Sequence, residues 1–304
     1  MSSNLIIETE TAIASFSLDG GCITAYALKR NRIYDILRPY QQNSKTPFSP
    51  LNAASFPLIP YSNRIKNGKF SFNNQSYQLA LNFLDHPHSI HGNAWQNPWR
   101  VKDHKEDKTV LEYDYKARDM KSGDWPFDFY AVQTFSLTET DLTQHISVTN
   151  TSNSHMPVGL GMHPYFPKRK NTHLKANTPN VWVTDHTCLP RKRVTCPEHW
   201  DLRQNPLVET LECDNQFEPW DGKAKILWPG DSVSVELNAS KNLNRLVVYA
   251  PKNEDFFCVE PTSHITDALT PSSKGMSLED TGIDVLGPLE TIEGWMTFKI
   301  TAEF

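Results

Sequence analysis

Residues 11–28 read TAIASFSLDGGCITAYAL. Ala12, Ala14, Phe16 and Leu18 fall at every second position of the first run, which is the period of a strand with one buried face. Asp19-Gly20-Gly21 breaks the run before CITAYAL, and glycines there supply the positive φ of a tight hairpin turn. A second hairpin follows in GKFSFNNQSYQLAL (68–81), where Asn73-Asn74 separates two roughly alternating runs. The same two-residue period recurs in VLEYDYKA (110–117), AVQTFSLTE (131–139), LTQHISVTN (142–150), SVSVELNAS (232–240), RLVVYA (245–250) and WMTFKITAEF (295–304). Twenty-one prolines leave few windows for a long helix. The pattern predicts an all-β chain of antiparallel strands. With no fixed repeat and no shift in composition, residues 1–304 are expected to form a single domain. The stretch TCLPRKRVTCPEHW (187–200) reads as a loop between strands.

The 304-residue chain is 38% hydrophobic and 21% charged, the balance of a globular protein with a sizeable core. A formal charge of -5 and a pI near 6.1 supply no general field for nucleic acid or anionic lipid. No stretch reaches the roughly 18 apolar residues that span a bilayer, and MSSNLIIETETAIASF has no basic start followed by an apolar run. Five cysteines form no C-x-x-C pair, so free thiols in a reducing cytoplasm are expected.

Several loops carry candidate chemistry. FLDHPHSIHGNAW (83–95) holds His86, His88 and His91, which could approach one metal ion, yet Asp85, Pro87 and Gly92 mark an irregular loop without a fixed ligand spacing. Gly92 lets the backbone turn sharply and a ligand approach His91 closely. VGLGMHPYFP (158–167) sets His163 at a strand end before a turn. FFCVEPTSH (256–264) sets Glu260 at the end of an apolar strand, where desolvation makes a carboxylate a stronger base. PLIPYSNRIKNGKF (57–70) presents Asn63-Arg64 as a fork of donors for hydroxyls or a carboxylate. Asp214 in LECDNQFEPWDG could accept from vicinal hydroxyls, and Trp95 and Trp125 could face a sugar ring or lie in the core. Each also has a plain structural reading: a capped turn, a salt bridge, or a core-edge histidine satisfied by a carbonyl.

In order, PYSNRI (60–65), IHGNAW (90–95), GMHPYF (161–166), DNQF (214–217) and FCVEPTSHITDAL (257–269) make the chain resemble the aldose 1-epimerase (mutarotase) family, especially its shorter bacterial members. The resemblance runs from DGGCITAYAL to the terminal strand. It implies a galactose-mutarotase-like β-supersandwich, with His163 and Glu260 as the catalytic pair and Asn63, Arg64, His91, Tyr165 and Asp214 as sugar-binding residues. VVYAPKNEDFF (247–257) departs from the family pattern: Ala250 stands near the place of a sugar-binding glutamine, and His264 offers a local substitute.

The implied partner is a small-molecule sugar, handled by a cytoplasmic monomer or homodimer, with no nucleic acid and no membrane. The chemistry needs no metal, nucleotide or redox cofactor. Two rivals remain. Lys168-Arg169-Lys170 could bind the phosphate of a hexose 6-phosphate, or the pocket could serve a carbohydrate-binding module without turnover.

Overall fold

A computed structural model describes residues 5–41, 47–83, 85–117, 123–270 and 275–302. The first four and last two residues, quoted above at the two chain ends, and part of the proline-rich loop at 38–50 lie outside this range. Among the described residues there are strands and short 3-10 turns and no α-helix. None of these elements is a helix long and apolar enough to cross a membrane.

The opening hairpin forms as its alternation predicts. Ala12–Ser17 pairs antiparallel with Cys22–Lys29, with a bulge between Ser15 and Phe16. Gly20 and Gly21 take φ of 74° and 59° at the turn. Buried Gln133 donates to the Gly21 carbonyl at 3.0 Å and accepts from Gln144 at 2.7 Å, fixing this hairpin to the large sheet behind it. Asn73 and Asn74 likewise take positive φ, 48° and 60°, between Lys69–Phe72 and Gln75–Gln78.

Two eight-stranded sheets form the body. The first runs Arg100–His104, Lys108–Tyr115, Phe129–Leu137, Asp141–Asn150, Thr291–Ala302, Val233–Ala239, Lys223–Trp228 and His173–Ala176. Phe129–Leu137 and Asp141–Asn150 alternate buried with half-buried residues along their whole length, so one face meets the core and the other meets solvent. The solvent face is stitched by threonine pairs such as Thr143–Thr297 and Thr149–Thr291, both at 2.8 Å.

The second sheet runs Pro190–Thr195, Asn180–Thr184, Cys213–Glu218, Arg245–Ala250, Phe256–Thr262, Gly161–Met162 and Pro57–Leu58, with Tyr165–Pro167 also paired to Phe256–Thr262. Phe166 stacks on Phe257 within this sheet and meets Phe298 of the first edge-on at 5.9 Å. Tyr26 of the N-terminal hairpin reaches the same Phe298 at 6.0 Å. The interior therefore lies between the sheets.

Phe256–Thr262 is buried on both faces. Phe257 and Val259 join the main core, whereas Cys258 and Glu260 point the opposite way. Because Val247 pairs with Glu260, and Tyr249 with both Cys258 and Asp214, the same period places Asp214, Val247, Tyr249 and Glu260 on one face of three adjoining strands. That face carries the candidate site.

Two expectations are corrected. The stretch 187–200 contains the strand Pro190–Thr195, an edge strand whose consecutive Arg191, Lys192 and Arg193 erase the hydrophobic alternation because both faces are solvated. Gly92 answers to backbone packing rather than to ligand approach: a Cβ there would lie 2.0 Å from the Ile59 carbonyl oxygen, and its φ is 66°. Gly92→Ala should cost about 2 kcal/mol or more, from left-handed strain plus displacement of Ile59. Urea unfolding of the two proteins checks this, and an unchanged midpoint would refute it.

Candidate active site

A cavity of about 160 Å³ opens on the face of the second sheet that carries Asp214, Val247, Tyr249 and Glu260. The seven site residues implied by the family resemblance line it: Asn63, Arg64, His91, His163, Tyr165, Asp214 and Glu260. Tyr165, Asp214 and Glu260 stand on strands of the second sheet, Arg64 on the short strand Arg64–Ile65, and Asn63, His91 and His163 in three turns beside strands. Leu51, Phe56, Phe83, Ile90, Val247 and Tyr249 complete the wall and give it an apolar side.

His163 sits in the turn between Gly161–Met162 and Tyr165–Pro167, held by its own N–H donating to the Phe56 carbonyl at 3.1 Å. Its ring packs against Phe56 (4.5 Å, 27°) and Tyr165 (4.7 Å, 17°), which also touch each other at 6.1 Å, so two adjoining aromatic rings restrict its orientation. So oriented, His163 Nε2 lies 3.3 Å from Glu260 Oε1, and both side chains are buried. Burial first, then the charge of Asp214, pushes the Glu260 carboxyl well above the usual carboxylate range, against the opposing pull of Arg64. Burial also brings His163 down to about 3, with Arg38 and Arg64 adding to the fall and a backbone carbonyl opposing it. Both shifts favour the neutral forms of the two groups.

The donor side is built on a strained turn. Asn63 and His91 both have positive φ, 55° and 61°. They are tied reciprocally: Asn63 N–H donates to His91 Nδ1 at 3.0 Å, and His91 N–H donates to the Asn63 carbonyl at 2.9 Å. With Nδ1 occupied as an acceptor, neutral His91 carries its proton on Nε2 and can donate from there. Burial, aided by His163, Arg64 and His86, holds this imidazole well below its ordinary value, so it remains neutral. Arg64 donates to Asn63 Oδ1 (3.0 Å), Asp214 Oδ2 (3.1 Å) and His86 Nε2 (3.3 Å). Three of the five guanidinium N–H groups are thus committed to holding the fork in place, and the rest are free to serve a ligand.

The three loop histidines go to separate partners, which is incompatible with one metal centre. His91 serves Asn63, whereas His88 accepts from Asn67 N–H at 3.1 Å and pairs with Thr187 Oγ1 at 3.0 Å. His86, a solvated residue by its sequence context, is instead the acceptor behind Arg64. A different trio, His163, Cys258 and Glu260, brings its possible ligand atoms within 4.8 Å of one another. The Cys258 thiol, however, is pushed far up by burial and then by Glu260, so it offers no thiolate.

His264 does not enter the cavity. It accepts from Ser62 N–H at 2.9 Å and donates from Nδ1 to the Ile265 carbonyl at 2.8 Å, which makes it a brace for the turn carrying Asn63 and Arg64. Tyr249, one residue before Ala250, reaches the wall together with Val247. Trp95 and Trp125 are core residues, 2% and 3% exposed. Lys168-Arg169-Lys170 also lies away from the cavity. Lys168 donates to the Pro251 carbonyl, Arg169 is wedged between the Tyr34 and Trp228 rings, and Lys170 is exposed. The five cysteines are all free.

The sequence profile of the aldose 1-epimerase family matches residues 5–281. The uncharacterized protein YphB of Escherichia coli (strain K12) is 30% identical over 224 residues, covering 71% of this chain and 75% of its own. A crystal structure of a candidate aldose 1-epimerase from Escherichia coli K12 superposes with a TM-score of 0.86 at 26% identity, with 100% of each chain covered. A galactose mutarotase-like protein from Clostridium acetobutylicum shares the fold, with a TM-score of 0.85 at 22% identity over 98% of this chain and 95% of the other.

Proposed function

The chain belongs to the aldose 1-epimerase family, and we propose that it interconverts the α and β anomers of a free aldohexose by acid–base catalysed ring opening and closure. The observation that carries this reading is the buried His163–Glu260 pair, 3.3 Å apart in the wall of a cavity that also presents the polar side chains of Asn63, Arg64, His91 and Asp214.

Ring opening removes a proton from the C1 hydroxyl and adds one to the ring oxygen, and neither transfer is fast near neutral pH without a positioned group. The pair holds the one proton this exchange requires. When a sugar enters, that proton passes from Glu260 to His163, leaving a carboxylate and an imidazolium. Glu260 takes the C1 hydroxyl proton as His163 gives its proton to the ring oxygen. The bond from C1 to the ring oxygen breaks, and the C1 carbonyl forms. After rotation about C1–C2, the steps reverse and close the other anomer. Asn63, Arg64, His91 and Asp214 hold the remaining hydroxyls, and Tyr165 keeps His163 in plane.

A free sugar fits better than a phosphorylated one. Arg64 is the sole cationic residue among those lining the cavity, and it is already paired with Asp214, while the 168–170 run lies elsewhere. Polarimetry on fresh α-D-glucose, α-D-galactose and α-D-glucose 6-phosphate tests this. A free hexose should equilibrate well above the spontaneous rate. A large, salt-sensitive preference for the phosphate ester would replace the proposal with a hexose-phosphate epimerase. Sugar binding by calorimetry without any turnover would make the protein a binding module.

A further inference from the structure

The rings that pack against His163 belong to a larger aromatic cluster. Trp95, Phe56, His163 and Tyr165 follow one another at ring separations of 5.3, 4.5 and 4.7 Å, with interplanar angles no greater than 27°. The guanidinium of Arg38 lies over the Tyr165 ring at 4.0 Å and over the ring of Phe256 at 4.5 Å. Arg38 does not line the cavity, yet it is bound to the cluster at several points. Its N–H donates to the Tyr165 carbonyl at 2.8 Å, and its Nη2 donates to the carbonyls of Leu51 (2.8 Å) and Ala53 (2.9 Å). Leu51 is a cavity wall residue, and Ala54, the next residue after Ala53, accepts from Tyr165 N–H at 2.9 Å.

We propose that Arg38 is a positioning residue for the acid–base pair: it clamps Tyr165, one of the rings that orient His163, and holds a fixed positive charge near the pair. The inference rests on the reading of His163 and Glu260 as that pair. Orientation follows from geometry, since a flat guanidinium covers the Tyr165 face while its donors pin the 51–53 segment. Charge matters because the pair works with one proton and fails with two. The groups facing His163 are Glu260 and Cys258 from Phe256–Thr262, His91 from its loop, Arg64 from the opposite turn, and Tyr165 with Arg38 over its ring. Of these only Arg38 and Arg64 are permanent cations, and both oppose a second proton on His163. Arg64 is partly offset by Asp214, whereas no ion pair to Arg38 occurs among the described residues.

The test compares Arg38→Gln, which keeps a planar donor group and loses the charge, with Arg38→Lys, which keeps the charge and loses the flat face. The readout is kcat/KM for α-D-glucose against pH. In Arg38→Gln the acid limb should move to higher pH by about half to one unit, a three- to ten-fold loss at a fixed pH on that limb. In Arg38→Lys the limb should stay in place while kcat falls at every pH. A limb that moves equally in both variants, or in neither, would overturn the proposal in a protein whose wild type is active. If Arg38→Gln does not fold, Arg38→Lys still decides: a lowered kcat with an unmoved limb supports the clamp, and an unaltered kcat contradicts it. A wild type without mutarotase activity would overturn the acid–base reading and this inference together.

Discussion

Glu260→Gln should slow anomer equilibration by about 10² to 10⁴-fold, and His163→Asn by a similar factor, each equal to about 3 to 5 kcal/mol of barrier. Gln fills nearly the same buried volume, but its amide neither accepts the C1 hydroxyl proton nor passes one to His163. Asn cannot deliver a proton to the ring oxygen. Because the two groups share one proton across 3.3 Å, their losses should not add, and the double variant should resemble the worse single one. Both limbs of the wild-type pH profile belong to the pair: activity falls when it gains a second proton and when it loses its only one. Polarimetry with the spontaneous rate subtracted gives these values. Fully additive losses, or a Gln variant with wild-type rate, would rule the pair out as the proton carrier.

His264→Ala should destabilise the fold by about 2 to 5 kcal/mol and lower activity as well. The change strands the Ser62 N–H and the Ile265 carbonyl, and it empties space packed so tightly that a Cβ on Gly159 would lie 2.0 Å from the His264 ring. Ser62 precedes Asn63 and Arg64, so the donor fork loses its anchor. The same ring makes stability depend on pH. Burial, helped by Arg245 and opposed by the Ile265 carbonyl, brings His264 down to about 4, whereas in the unfolded chain it titrates near 6.5. Its stabilisation is therefore complete above about pH 6.5 and lost as pH falls toward 4, on the order of 3 kcal/mol in all. His163 acts with the same sign down to about pH 3, and Glu260, shifted upward, acts against both. Urea midpoints at pH 7 and pH 4.5 should differ less in His264→Ala than in the wild type. An equal pH dependence in the two proteins would show that His264 does not carry the linkage.

Strand architecture was readable because alternation reports burial on one face, as in Phe129–Leu137 and Asp141–Asn150. It failed at Pro190–Thr195, where an edge strand has little to bury. Residues of the cavity wall were recognisable where a reactive side chain stands in an apolar or glycine-bounded context, as for His163, Glu260 and His91. Residues acting through backbone or through another side chain left no such trace. Nothing in the local sequence of His86 tells that its ring accepts from Arg64, and nothing around Arg38 tells that its guanidinium caps Tyr165. Those relations exist only after the chain has brought distant segments together. The positive φ of Asn63 is partly foreseeable from residue type, whereas that of His91 is imposed by its reciprocal bonds with Asn63.

The central claim is that this cavity exchanges the anomers of a free aldohexose through Glu260 and His163. Magnetisation-exchange NMR on the anomeric protons of equilibrated glucose or galactose tests it most directly, because it observes α and β converting with no net reaction. Catalytic amounts of the wild type should give α-to-β exchange well above buffer, and Glu260→Gln should return it to near the buffer rate. Exchange no faster than buffer for every common aldohexose would contradict the account.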